Sequence, residues 1–172
     1  GVCDSFEILG CINTNAINYN PLSTDDDGSC IYPPDPILPP VEFNFTPTPI
    51  SGTFIGSVTL DDSPCDDIDW VAAFDPEGNC AGSTPIYIDE GVAYVILTIY
   101  GDESLTSLID EGLSFGDYFT LQLFDASTLT VHEYYETSGV VEFLGWSNFN
   151  GAPLPDYSNP NIIYNFLSTE YT

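Results

Sequence analysis

This 172-residue chain contains no lysine and no arginine. A protein of its length ordinarily carries roughly 20 of them. Against that absence stand 27 acidic residues, a single histidine and a net charge of -27. Nucleic-acid binding through counterion release needs basic side chains and is excluded. Anionic membrane surfaces would repel the chain. There is no arginine to clamp a phosphate, no lysine for a Schiff base or an isopeptide crosslink, and no bond for trypsin to cut. No run approaches the ~18–20 apolar residues of a membrane-spanning helix, so membrane insertion is not expected. No C-x-x-C pair occurs, and five cysteines (Cys3, Cys11, Cys30, Cys65, Cys80) with one histidine make no convincing zinc site. Two disulfides and an odd cysteine fit an oxidising compartment better. The opening GVCDSF lacks the basic and apolar regions of a secretory leader, as expected of an exported chain whose leader has been removed.

What is present suffices for a core. The chain is 43% hydrophobic and 14% aromatic, which argues against disorder despite the charge. At marine ionic strength the screening length falls to a few ångströms, so such a charge becomes tolerable outside the cell. Residues 1–32 form a polar, Asn/Asp-rich segment bracketed by cysteines. PPDPILPP (33–40) reads as a semi-rigid polyproline II spacer. From residue 41 to 172 the texture is β. VEFNFT (41–46) alternates, GTFIGSVTL (52–60) puts Phe54, Val58 and Leu60 on one face, and IDWVAAF (68–74) runs into the turn signal DPEGN. VAYVILTIY (92–100) is apolar at every second and many intervening positions, as expected of a central strand covered on both faces. YFTLQLF (118–124), TLTVHEYY (128–135), VVEFLGW (140–146) and NIIYNFL (161–167) follow at hairpin spacing, and SLTSLID (104–110) is the one short helix candidate. The fold class read from this pattern is all-β: an antiparallel β-sandwich of the Ig-like or jelly-roll type, with a small N-terminal appendage.

Two segments carry more. GCINTNAINYNPLSTDDDGSC (10–30) resembles a short cysteine module common in secreted proteins of Bacteroidetes and in some giant viruses, through Gly10, Cys11, Ala16, the Asn18–Pro21 stretch and Asp26–Cys30. Asn13 and Ser23 depart from its usual Asp and Ala. In such a unit, too small to bury a core, a Cys11–Cys30 bridge would contribute roughly 3 kcal/mol. Its acids have three readings: solvated turn residues, a calcium site built by Asn18, Asn20, Asp25, Asp26 and Asp27, or a catalytic carboxylate cluster without partners. Residues 50–143 resemble a β-domain of secreted and surface proteins of the same bacteria, through Trp70–Phe74, Gly78, Cys80, Gly82, Leu97–Asp102 and Leu123–Ala126. That resemblance implies an extracellular β-sandwich exported by the type IX route, with no catalytic mechanism attached. Cys65 departs from it and is paired here with Cys80. Asp61, Asp62, Asp66, Asp67 and Asp69 around Cys65 offer a second calcium or carbohydrate site, or a solvated loop.

His132 has no G-x-S-x-G elbow beside it, and no glycosidase carboxylate pair stands out, so no enzyme is expected. Tyrosine is abundant and suits sugar stacking as well as core packing. NFT at Asn44 is a lone glycosylation sequon. NIIYNFL and VEFNFT either belong to the chain's own sandwich or complete a neighbour's sheet, and Cys3 is left for an intersubunit bond. The resulting expectation is a secreted, non-enzymatic, calcium-bridged structural subunit of a surface filament or matrix, whose partners are copies of itself. The alternative is a calcium-dependent carbohydrate-binding or adhesion module with glycan partners.

Overall fold

Alternation along the strands decides the architecture. In the computed structural model the described residues are 7–32, 37–103, 110–134, 144–147, 152–153 and 158–168. They form two compact units, residues 1–36 and 37–172.

The first unit contains almost no core. Among its described apolar residues only Cys11 and Ala16 are buried, while Ile8, Leu9, Ile17, Leu22 and Ile31 are exposed. Covalent and polar staples substitute for burial. Cys11 and Cys30 form a disulfide across a sequence separation of 19. Asn18 Nδ2 donates to the Ser29 carbonyl at 2.7 Å, and its Oδ1 accepts from the Ile31 amide at 2.8 Å. A two-residue parallel pairing of β1 (Leu9–Gly10) with β2 (Asp25–Asp26) completes the unit.

The second unit is an all-β sandwich. One sheet runs β12 (Ala152–Pro153), β11 (Leu144–Ser147), β9 (Tyr118–Asp125), β5 (Trp70–Phe74) and β6 (Cys80–Pro85), with β10 (Thr130–Glu133) on the same edge of β9 as β11. The other runs β13 (Ser158–Phe166), β3 (Ser51–Leu60), β8 (Val92–Tyr100) and β7 (Tyr87–Asp89), with β4 (Ser63–Pro64) also on β3. Pairings in both sheets are antiparallel except β13 with β3, which is parallel. Phe54 and Val58 of β3, Val95, Leu97 and Ile99 of β8, and Phe119, Leu121 and Leu123 of β9 meet between the sheets. NIIYNFL therefore lies in the chain's own sheet, with Tyr164 and Phe166 buried in its core.

Three expectations need correction. Val92–Tyr100 is covered on one face only: Ala93, Val95, Leu97 and Ile99 are buried, whereas Ile96 is 56% exposed. VEFNFT is not a strand. After Pro39 and Pro40, Val41–Phe43 closes a 3-10 turn in which the Phe43 amide donates to the Pro40 carbonyl at 3.0 Å. This turn sets Phe43 edge-on against Phe74 and Phe124, over the outer face of the β5–β9 pair. Cys65 and Cys80 are free and buried, not paired. Cys65 sits in the core between the sheets, and Cys80 on the opposite face beneath Phe43, whose carbonyl lies 3.4 Å from its thiol. The sheet itself separates them. Cys3, Tyr135, most of SLTSLID and residues 140–143 lie outside the described residues.

Candidate metal centre

The loop joining β5 to β6 reads Asp75-Pro-Glu-Gly-Asn79. Pro76 presets the first turn dihedral, and the Gly78 amide closes the turn onto the Asp75 carbonyl at 3.2 Å. Gly78 has φ +90, a conformation that a side chain would strain. Asp75 locks the loop: its Oδ1 accepts from the Asn79 amide at 2.7 Å and its Oδ2 from Asn79 Nδ2 at 3.0 Å. Within this turn Glu77 stands beside Asp75.

The third carboxylate comes from far along the chain. Asn79 Nδ2 also donates to Asp110 Oδ2 at 2.9 Å. The segment carrying Asp110 is tied to the end of β8 by the Leu113 amide on the Tyr100 carbonyl at 3.1 Å and by the Asp102 amide on the Leu113 carbonyl at 3.0 Å. Gly112 permits this approach, since a Cβ there would collide with the Tyr100 carbonyl. One carboxylate oxygen each from Asp75, Glu77 and Asp110 lies within 4.8 Å of the others. Asp75 is buried, and the other two are exposed. Burial and then the charge of Asp75 push Asp110 above the ordinary carboxylate range, with Asp102 and Asp117 adding to the effect. No basic group relieves this crowding. The arrangement is a set of hard oxygen donors that could hold a metal ion.

The residues singled out from sequence lie elsewhere and serve mostly as turn formers. Asn20 Oδ1 accepts from the Leu22 amide, Asp26 Oδ1 from Gly28 and Asp27 Oδ1 from Ser29, each within 3.0 Å. Asp25 accepts from the Thr24 hydroxyl. Among the described residues, the carboxylates of Asp25, Asp26 and Asp27 do not converge as those of Asp75, Glu77 and Asp110 do. Asp61 and Asp62, both at positive φ, form the tight turn from β3 to β4. They also clasp β13: Asp62 exchanges bonds with Asn165, and Asp61 Oδ1 accepts from the Ser168 amide. Asp66 donates its amide to Asp69 Oδ2 at 2.8 Å, and Asp67 is exposed in the same turn.

Two further buried acids are held by hydrogen bonds: Asp69, which belongs to the acidic run around Cys65, and Asp125, which was not singled out from sequence. Asp69 bridges its turn to the Ala126 amide at 3.0 Å. Asp125 gathers the amides and hydroxyls of Ser127 and Thr128. Burial raises Asp69, whereas for Asp125 the hydrogen bonds outweigh burial and hold it low. Burial, followed by Asp69 and Asp125, pushes the Cys65 thiol up to about 12. That is an inert thiol, not a nucleophile. His132, with Nε2 2.9 Å from the Thr130 hydroxyl, lies on β10 at the sheet edge.

Compared with protein families, with curated proteins and with solved structures, the chain finds no match. The D-x-E-x-N spacing of residues 75–79 was the available signal for the centre; Asp110, 31 residues beyond Asn79, left no local trace.

Proposed function

We propose that this chain is a secreted, non-enzymatic structural protein of the Bacteroidetes type, a subunit of an extracellular filament or matrix in which calcium supplies the missing counter-charge. The observation that carries the reading is the convergence of Asp75, Glu77 and Asp110 in a chain without lysine or arginine. Two oxygens bound to one calcium ion at about 2.4 Å each can lie up to about 4.8 Å apart, and the three oxygens here lie within that limit of one another. Calcium at this loop would fix the β5–β6 turn against the end of β8, and further ions would screen subunits that otherwise repel. The Cys11–Cys30 disulfide supports an oxidising, extracellular setting.

Negative-stain microscopy in millimolar calcium, before and after chelation, tests the reading. Filaments that disperse on chelation, and that the Asp75→Asn/Asp110→Asn double variant cannot form, are the expected result. Filaments indifferent to chelation would remove calcium from the assembly, and discrete monomers throughout would remove the filament.

A second reading rests on the cleft beside the centre, about 510 Å³ and lined by Phe74, Asp75, Glu77, Tyr118 and Gln122. Tyr118 is 43% exposed there, and an open tyrosine next to a cation site suits a calcium-dependent glycan-binding or adhesion module. Calcium-dependent retention on a glycan array by a monomer would favour it.

A further inference from the structure

The outer face of the β13–β3–β8–β7 sheet is nearly free of charge. Strands β3, β8 and β13 contain no acidic residue, in a chain with 27 of them. Register fixes what the face presents. Val58 and Tyr164 are partners and both point into the core, so their neighbours Ser57 and Ile163 lie on the outer side, Ile163 exposed and Ser57 buried with its hydroxyl donated to the Ile162 carbonyl. Ser57 pairs with Tyr94, and Tyr94 with Tyr87, which completes one row across four strands. The adjoining row sets Ile55 beside Ile96. Ile163 is 61% exposed, Tyr87 58% and Ile96 56%. Asp89, at the rim on β7, is the one acid among the outward positions of these four strands.

We propose that this face docks on the same face of a second copy of the chain, sheet against sheet. The argument for that occupant is charge. A molecule without basic residues offers no positive group to a partner, and over most of its surface a copy would set carboxylate against carboxylate. Here the copies meet through serine, threonine, isoleucine and tyrosine, and the like charges stay at the rim, where solvent screens them. The contact is isologous, so one patch serves both partners. Strands of nine, ten, nine and three residues, about 4.8 Å apart with about 3.3 Å rise per residue, offer about 500 Å² per copy. The pair, about 1,000 Å² in total, is the size of a weak interface. That size suits a contact reinforced by repetition, and it deepens the filament reading by naming one of the surfaces such a filament would use.

Sedimentation velocity of the full chain across a concentration series in millimolar calcium tests the docking face, with thermal melts confirming that each variant folds. Ile96→Asp places a charge at the centre of the face without burying it. Leu129→Asp, exposed on the β9–β10 turn at positive φ, is the control. The expected result is reversible self-association of the wild type and of Leu129→Asp, with the dissociation constant of Ile96→Asp raised roughly tenfold or more. Assembly undiminished in Ile96→Asp overturns this face and leaves the filament reading standing. Discrete dimers without filaments support the face and overturn the filament. A wild type monomeric throughout overturns both, and adsorption of that monomer to a neutral polysaccharide, lost in Ile96→Asp, would give the face to a glycan.

Discussion

Residues 25–29 and residues 75–79 are both short, acidic, glycine-containing turns, yet their carboxylates end in opposite arrangements. In Asp25-Asp26-Asp27-Gly28-Ser29 the acids are adjacent. Asp26 and Asp27 each turn back to the amide two residues ahead, so they stabilise the backbone locally and do not converge. In Asp75-Pro-Glu-Gly-Asn79 the acids alternate with turn residues, and a buried Asp75 holds the loop closed while Glu77 and the distant Asp110 gather beside it. Density of charge along the chain therefore says little about where a cation would sit. Spacing by two, plus a third acid delivered by tertiary structure, says more.

The strongest way to break the comparison is Asp75→Ala. It removes both side-chain hydrogen bonds across the loop, for an expected loss of about 2 kcal/mol in the absence of metal. A hundredfold excess of calcium over its dissociation constant should stabilise the wild type by about 2.7 kcal/mol and leave this variant unmoved. Urea denaturation with and without calcium reads both quantities. Equal calcium responses in the two proteins would dissociate the ion from this loop.

Reduction sharpens the contrast from the other side. The 25–29 turn lies within the Cys11–Cys30 loop, and losing that bond should cost the N-terminal unit about 3 kcal/mol while leaving calcium binding by the sandwich unchanged. Mass-spectrometric alkylation should label Cys11 and Cys30 only after reduction. Cys65 and Cys80 should resist until the sandwich unfolds, because burial pushes their thiols up to about 12 and about 11. Rapid native labelling of either would contradict the packing described.

Much of the fold was legible in the sequence. The alternation of Phe54, Val58 and Leu60 and the apolar run 92–100 announce strands, and turn residues mark their ends. What was not legible depended on the third dimension. Whether β8 is covered on one face or two is decided by what packs outside it, not by its own residues. The Cys65–Cys80 pairing is reasonable at fourteen intervening residues; what defeats it is that Cys80, paired with Phe74 next to the bulge, joins the outer cluster, whereas Cys65, in the segment before β5, packs into the core between the sheets. VEFNFT alternates like a strand, but the two prolines before it impose a turn and convert its phenylalanines into a cover for the sheet. The centre itself divides in the same way, with Asp75 and Glu77 readable from spacing and Asp110 invisible without topology.

Replacing Asp25, Asp26 and Asp27 together by asparagine is a gentler probe. Asparagine also accepts the amides two residues ahead, so the turn survives and stability should change by less than about 0.5 kcal/mol. Calcium titration by calorimetry should be indistinguishable from wild type; a lost binding event would return the ion to the module first suspected.

The smallest expected effect is one of titration. Hydrogen bonds from Ser29, hydroxyl first and then amide, hold Asp27 below the ordinary value of 3.8, whereas burial and Asp75 hold Asp110 above it. The signs differ accordingly. What Asp27 contributes to stability is present above pH 3.8 and is lost as the pH falls through its lower folded value. What Asp110 contributes is present below pH 3.8 and is lost as the pH rises through its higher one. Carboxyl carbon shifts followed by NMR should therefore place the two midpoints on opposite sides of 3.8 in metal-free protein. Calcium bound at the β5–β6 loop favours the ionised form of its ligands, so it should draw the Asp110 midpoint downward and leave that of Asp27 where it was. If both midpoints move together on adding calcium, the ion is acting as a general screen over the whole acidic surface, and the distinction between the two loops dissolves.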